Sequence, residues 1–408
     1  MLHTCFTIGA LGTLLVGCAH AAPATPRTAA LLQEGQEPVR IVCFGDSITG
    51  VYYHTGGHRA YCDMVGIGLR RLYPQAQLTM LNAGISGNTT VAALARIDRD
   101  VLEKRPHLVT VMFGMNDVTG VPPEQYRDNL HTIVSRCRDI GAEVILCTPN
   151  SIYAEDDRRP VDKLAQYAQI VRDLAAATDV PLVDCYKAYE DIRAEDDLEW
   201  KLLMSETIHP GMNGHKLFAE QIVTAIGGEP ISLADEPPPA LAIPHLKALL
   251  SAGEPVNVIA MEPYDALIAP ALQAIVPGAQ VNVTPWPVAG QDLAQIEAAA
   301  KGIREQKPDL VLVAVPASAS APDDEKFVRS YSWVLNWSLS FGLSEWDCVA
   351  IAPSVTDIDL SETDRATEAF ALRIIRGQDI GYIVRPAEDD APAADLLRRW
   401  LAEQLAGD

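Results

Sequence analysis

A chain of 408 residues exceeds what one hydrophobic core usually holds, about 250–300 residues, so two or three domains are expected. Hydrophobic residues make up 48% of it, enough to bury sizeable cores and to exclude global disorder. The formal net charge of −22 argues against nucleic acid as a partner and against adsorption to anionic membranes, and neutral substrates suit such a surface best.

Residues 1–22 carry no Asp, Glu, Lys or Arg, and Phe6 to Cys18 is apolar yet too short to span a bilayer. The segment reads as an export signal, with a periplasmic, membrane-anchored or secreted destination. Two cleavage readings compete. Leu15-Val16-Gly17-Cys18 matches a bacterial lipobox, which would put a lipid on Cys18, while Ala19-His20-Ala21 offers an ordinary small-x-small site. Residues 23–38, rich in Ala, Pro and Gln, are then expected to form a mobile tether.

Strand-like apolar runs follow near 39–44, 77–82, 108–113, 142–148 and 180–185. Helical patterns fill the intervals near 58–73, 88–104, 124–139 and 160–178, with a last one near 212–227. This alternation predicts βαβ units, hence a parallel sheet with helices on both faces. In such sheets functional groups gather at the carboxyl ends of the strands. Polar knots sit at those ends: Gly45-Asp46-Ser47, Gly84-Ile85-Ser86-Gly87-Asn88 and Gly114-Met115-Asn116-Asp117. Far downstream, Glu206-Thr207-Ile208-His209-Pro210 sets a carboxylate three residues before a histidine, and Pro210 restricts His209 to an extended loop. A serine, a histidine, an acid and spare donors are the parts that nucleophilic acyl transfer needs.

Over roughly residues 36–228 these four blocks resemble the GDSL, or SGNH, hydrolases, whose blocks carry a Ser, a Gly, an Asn and a His. The resemblance implies that Ser47 is the nucleophile, that His209 is the general base, and that Gly87 and Asn116 join the Ser47 backbone as oxyanion donors. It implies no metal and no cofactor. The family usually has Asp three residues before the His, where this chain has Glu206. Glu206 is read as the third member of the triad, against an alternative in which a backbone carbonyl orients His209. Gly84 reads as turn geometry. His54, His58, His107, His131, His215 and His245 lack such a setting and read as solvent-facing or structural. The segment Tyr52 to His58 reads either as a lip over the pocket or as an exposed loop.

Residues 229–254, with Asp235-Glu236-Pro237-Pro238-Pro239, read as a linker that contains a helical turn or two near Leu246 to Ala252. The alternation then resumes over 255–408 as a second copy of the first pattern. Val256 to Met261 answers Val39 to Phe44, Gly290 answers Gly87, and Lys307-Pro308 answers Arg105-Pro106. Pro106 and Pro149 are 43 residues apart, and Pro308 and Pro353 are 45. Tyr264 stands in place of the nucleophile, Ser318 in place of the Asn, and no histidine follows, so this copy is expected to be inactive. Trp333 and Trp337, one helical turn apart, read as the packing face of a helix on its own sheet. Cys43, Cys62, Cys137, Cys147, Cys185 and Cys348 show no disulfide-framework or zinc spacing, which leaves room for one chance disulfide at most, and the four in strand-like runs, Cys43, Cys147, Cys185 and Cys348, read as small hydrophobes.

The expected architecture is α/β, two flavodoxin-like three-layer domains, and the expected activity is hydrolysis of short acyl esters, small-molecule or polysaccharide. Two rival readings use the same residues differently: acyl transfer onto sugars, and a non-catalytic carbohydrate-binding surface protein.

Overall fold

The computed structural model describes residues 27–406, so the export signal and Cys18 lie outside the described residues. Five strands form the first sheet: β1 (Val39–Gly45), β2 (Leu78–Gly84), β3 (Leu108–Met112), β4 (Glu143–Cys147) and β5 (Leu182–Val183). They are all parallel and lie in the order β2-β1-β3-β4-β5. Continuous burial along β1, β3 and β4 explains why they read as apolar runs rather than alternating ones. Helices Tyr61–Leu72 and Met212–Gly227 pack on each other, and Thr90–Asp100, Pro123–Asp139 and Val161–Thr178 pack in series.

The second sheet is formed by β6 (Val256–Met261), β7 (Val281–Trp286), β8 (Leu310–Val313), β9 (Asp347–Ile351) and β10 (Gly381–Ile383). Its order is β7-β6-β8-β9-β10, the same winding as the first. Smaller features recur with it. Gly87 (φ 74°) and Gly290 (φ 72°) each follow the second strand of their sheet in left-handed geometry. Arg105 (φ 48°) and Lys307 (φ 46°) do the same just before the third. Glu143, first residue of β4, accepts the Arg27 and Thr28 amides, as Asp347, first residue of β9, accepts those of His245 and Leu246.

Those carboxylates seat two helices that the sequence reading placed differently. Residues 27–34 of the expected tether form the helix Arg27–Glu34, whose Ala29 and Leu32 are buried in the first core. Helix Pro244–Ala252, read as part of a linker, buries Leu246 and Leu250 in the second. Leu202 belongs to the second core although it follows the first sheet, so the two halves share apolar surface. Helix Cys185–Glu195, absent from the sequence reading, begins at a cysteine that looked like the end of a strand. The six described cysteines are all free and buried.

Candidate active site

β1 ends at Gly45, and the next residue turns the chain. The Asp46 carboxylate accepts the Ile48 N–H (3.0 Å) and caps the single helical turn Ser47–Gly50, which leaves Ser47 at the start of that turn. The turn is pressed against the end of β2. A Cβ on Gly50 would lie 2.3 Å from the Gly84 carbonyl oxygen, and one on Gly84 would lie 2.3 Å from the Gly50 nitrogen. Both positions therefore need glycine for close approach of two backbones, and the turn reading of Gly84 is corrected. Gly87 differs: its φ of 74° is the left-handed region that glycine enters without cost.

The Ser47 hydroxyl lies 2.8 Å from His209 Nε2, and His209 Nδ1 lies 2.6 Å from Glu206 Oε1. Glu206 thus meets the ring directly, which favours it over a backbone carbonyl as the orienting group. The loop that carries both residues is braced throughout. Ser205 N–H donates to the His209 carbonyl (2.9 Å), Gly211 N–H to Leu203 (2.9 Å), and Asn150 Nδ2 to the Ile208 carbonyl (3.1 Å). Glu206 Oε1 also accepts the amides of Ile208 (3.1 Å) and His209 (2.6 Å). Burial alone would raise this carboxyl, but the His209 ring and those two amides outweigh it and hold it below its ordinary value.

Asn116 reaches the same place from the end of β3. Its Nδ2 donates to the Asn88 carbonyl (3.1 Å) and makes a long contact of 3.4 Å with Asp46 Oδ2. Its Oδ1 is held by Arg159 Nη2 (3.1 Å), which fixes the amide with its N–H side toward Asp46. The backbone N–H groups of Ser47 and Gly87 make no hydrogen bond to another described residue. Ser47, Glu206 and His209 are joined by hydrogen bonds, Asn116 meets the residue beside Ser47, and Gly87 lies on the loop after β2, next to the Asn88 carbonyl that Asn116 contacts.

Three neighbours of the candidate site escaped the sequence reading. Arg96 is buried beside the site, donating to the carbonyls of Gly45 and Ala83 (2.8 Å each) and to Asn88 Oδ1 (2.7 Å), with its guanidinium 4.6 Å from the Phe44 ring centroid. It ties the Ser47 loop to the Gly87 loop. A signal existed, because Arg96 interrupts the buried stripe of Ala93 and Ile97. Arg159 had no such signal. The third is His54, which is 2% exposed, not solvent-facing, and is stacked on His209. His215 opens no site: it lies in the helix Met212–Gly227 and its Nδ1 accepts the Tyr61 amide.

His54, Glu206 and His209 offer ligand atoms within 4.8 Å of one another. The two rings lie 14° from parallel with centroids 4.4 Å apart, so their in-plane lone pairs do not converge on one ion unless a ring turns. This geometry does not fit a metal centre.

Residues 43–217 match the GDSL-like Lipase/Acylhydrolase family. An acetylxylan esterase of Geobacillus stearothermophilus is 29% identical over 47% of this chain and 94% of its own length. A Bacillus subtilis protein described as the uncharacterized lipoprotein YqeF is 27% identical over 44% of this chain and 84% of its own. Among solved structures, a lipase/acylhydrolase of Enterococcus faecalis is 27% identical, with a TM-score of 0.40, over 48% of this chain and 99% of that one. The N-terminal half of this chain belongs to the GDSL-like lipase/acylhydrolase family, and the protein is a serine hydrolase acting on ester bonds.

Proposed function

We propose that the protein is an exported esterase that removes short acyl groups, acetyl above all, from carbohydrate, using one reacting centre in its N-terminal half. The observation that carries this reading is the unbroken hydrogen-bonded line from Glu206 through His209 to Ser47. Ser47 Oγ attacks the ester carbonyl while His209 Nε2 takes the hydroxyl proton. Glu206 keeps the Nδ1–H in place and balances the charge of the imidazolium. The tetrahedral oxygen draws on the N–H groups of Ser47 and Gly87 and on Asn116 Nδ2, whose long contact with Asp46 yields as the oxyanion forms. His209 then passes its proton to the leaving alcohol. Water, activated by the same ring, cleaves the acyl-enzyme and restores Ser47.

The carbohydrate acetyl ester as substrate draws on the acetylxylan esterase relative. Burial of Ser47, 6% exposed, also favours a small acyl group over a long chain. Export draws on the apolar leader and on the lipoprotein relative, and no described helix is long and apolar enough to cross a membrane. The second half is read as a degenerate copy of the first, on the strength of the shared winding and the recurring caps and left-handed residues. In it Tyr264, bonded to Thr356 Oγ1 at 2.9 Å, takes the place of Ser47.

The test is hydrolysis of nitrophenyl esters of graded acyl length, and of acetylated xylo-oligosaccharide, by the full chain and by Ser47→Ala. Rates should fall as the acyl chain lengthens, and Ser47→Ala should lose about 10³-fold or more in kcat. Faster cleavage of long chains would overturn the acetyl assignment, and an active Ser47→Ala would overturn the site.

A further inference from the structure

His54 lies seven residues after Ser47, in the segment read from sequence as a lip or an exposed loop. It is neither. Residues 54–57 are buried between the two halves: the Gly57 carbonyl accepts the Ser344 N–H (3.0 Å), and a Cβ on Gly56 would meet the Gln378 carbonyl oxygen at 2.3 Å. The His54 ring stacks on His209, planes 14° apart and centroids 4.4 Å apart. Its Nδ1 shares a hydrogen bond of 2.9 Å with Ser205 Oγ, one residue before Glu206.

Ser205 is in turn held from the second half. Asn336 Nδ2, on helix Asp324–Trp337, donates to Ser205 Oγ at 2.8 Å, and Gln378 Nε2 approaches the same oxygen at 3.5 Å. Both side chains are buried, with Asn336 0% exposed. The Asn336 backbone is itself held, because Arg304 Nη2 donates to its main-chain carbonyl (2.6 Å), and the Arg304 guanidinium lies over the rings of Tyr53 and Trp337, 4.6 Å from each centroid. Trp333, on the same helix, meets the His54 ring in a T-shaped contact, centroids 6.1 Å apart. The face of this helix that was expected to pack on its own sheet is therefore turned in part toward the first half.

We propose that the second half positions the general base of the first: Asn336 holds Ser205, Ser205 holds His54, and the flat face of His54 sets the plane of the His209 ring. This rests on the reading of Ser47, His209 and Glu206 as the reacting unit. A ring nitrogen in line with both Ser47 and Glu206 tolerates little rotation, and stacking restrains the rotation that the two end bonds leave free. Burial first, and the neighbouring His209 next, push the His54 ring well below its ordinary pKa, so it stays uncharged and does not repel the imidazolium formed in the reaction. An uncharged aromatic face instead attracts that cation. His54 is on this account a positioning residue, with no contact to substrate assigned to it.

The test compares kcat and KM for nitrophenyl acetate in the full chain carrying Asn336→Ala, His54→Leu, His54→Phe and the double variant Asn336→Ala/His54→Leu. Thermal melting of each confirms a folded protein. Asn336→Ala and His54→Leu should each lower kcat about tenfold or more with KM little changed, since misplaced catalytic groups lose turnover rather than binding. His54→Phe restores a flat ring but not the hydrogen bond to Ser205, so its kcat should lie between those of His54→Leu and the parent, which a role in simple space-filling would not separate from leucine. The double variant should be little worse than His54→Leu alone, because both changes break one chain of contacts. Equal activity of the leucine and phenylalanine variants, or an unchanged kcat in folded Asn336→Ala, overturns the proposal. If Ser47→Ala is inactive while these variants are normal, the positioning role fails and the reacting unit stands.

Discussion

In the proposed mechanism Glu206 serves both a loop and a reaction. Its Oε1 gathers the amides of Ile208 and His209 as well as His209 Nδ1, so the acid that orients the ring also closes the turn that presents it. An extra methylene relative to Asp is accommodated by that turn. Glu206→Gln retains the shape and the amide acceptor but removes the charge facing the imidazolium, and kcat should fall by about 10²–10⁴ with an unchanged melting profile. Glu206→Asp keeps the charge with a shorter reach and should fall between. An unaltered kcat in Glu206→Gln, read by steady-state kinetics, would reduce Glu206 to a loop brace. Of the five candidate site residues, Ser47, Gly87 and Asn116 were legible because each stands where an apolar run stops at a polar knot, and Glu206 and His209 because an acid sits three residues before a histidine that a proline follows. Arg159 and His54 were not, because Asn116 and His209 lie 43 and 155 residues away in the chain and nothing local marks them, and Arg96 was marked only by its place in a buried stripe.

At the scale of elements, the turn Ser47–Gly50 depends on a buried acid. Asp46 is 1% exposed, and burial pushes its carboxyl up to about 7, against the opposing pull of the Ile48 amide and His209. Its folded value lies above its unfolded one, so the folded chain keeps a proton that the unfolded chain releases. The stability this contributes is complete below about pH 4 and is lost as pH rises through 7. Asp46→Asn cannot ionise. Between pH 4 and 8.5 the parent should lose up to about 4 kcal/mol relative to Asp46→Asn, read from urea unfolding at each pH. A difference that stays flat with pH would mean the carboxyl is charged in the folded chain throughout. The strands and most helices of the first half were legible from period and length. The helices Arg27–Glu34 and Pro244–Ala252 were not recognised as parts of their cores, because what seats each is a carboxylate at the start of the fourth strand of its sheet, about 100 residues on.

For the whole molecule, the two halves are joined by polar contacts around a shared apolar patch. Arg59, 17% exposed, forms two hydrogen bonds with the Asp379 carboxylate, at 2.8 and 2.6 Å, and a third with Glu236 at 3.0 Å. Met212 N–H donates to the Gly377 carbonyl at 2.7 Å, and Arg329 pairs with Glu155 at 2.8 Å across the same boundary. Asp379 is 1% exposed, so Arg59→Ala would strand a buried carboxylate and should cost about 3–5 kcal/mol. Adding Asp379→Asn should recover most of that loss in a urea titration, since the stranded charge is then gone. If the single variant melts like the parent, the contact between the halves is not what the geometry implies.

The sequence by itself determined the alternation of strands and helices, the class of sheet, and the positions of Ser47, Gly87, Asn116, Glu206 and His209 at strand ends or in a loop. These are local properties: hydrophobic period, turn residues and the spacing of an acid from a histidine are written within a few residues of one another. Only the tertiary structure decided that Gly50 and Gly84 touch, that Arg96 and Arg159 brace the loops of the site, and that His54 stacks on His209 under the hold of Asn336. Those facts come from pairings across the fold, where close packing of a parallel sheet and of two facing halves sets distances that no stretch of sequence encodes on its own.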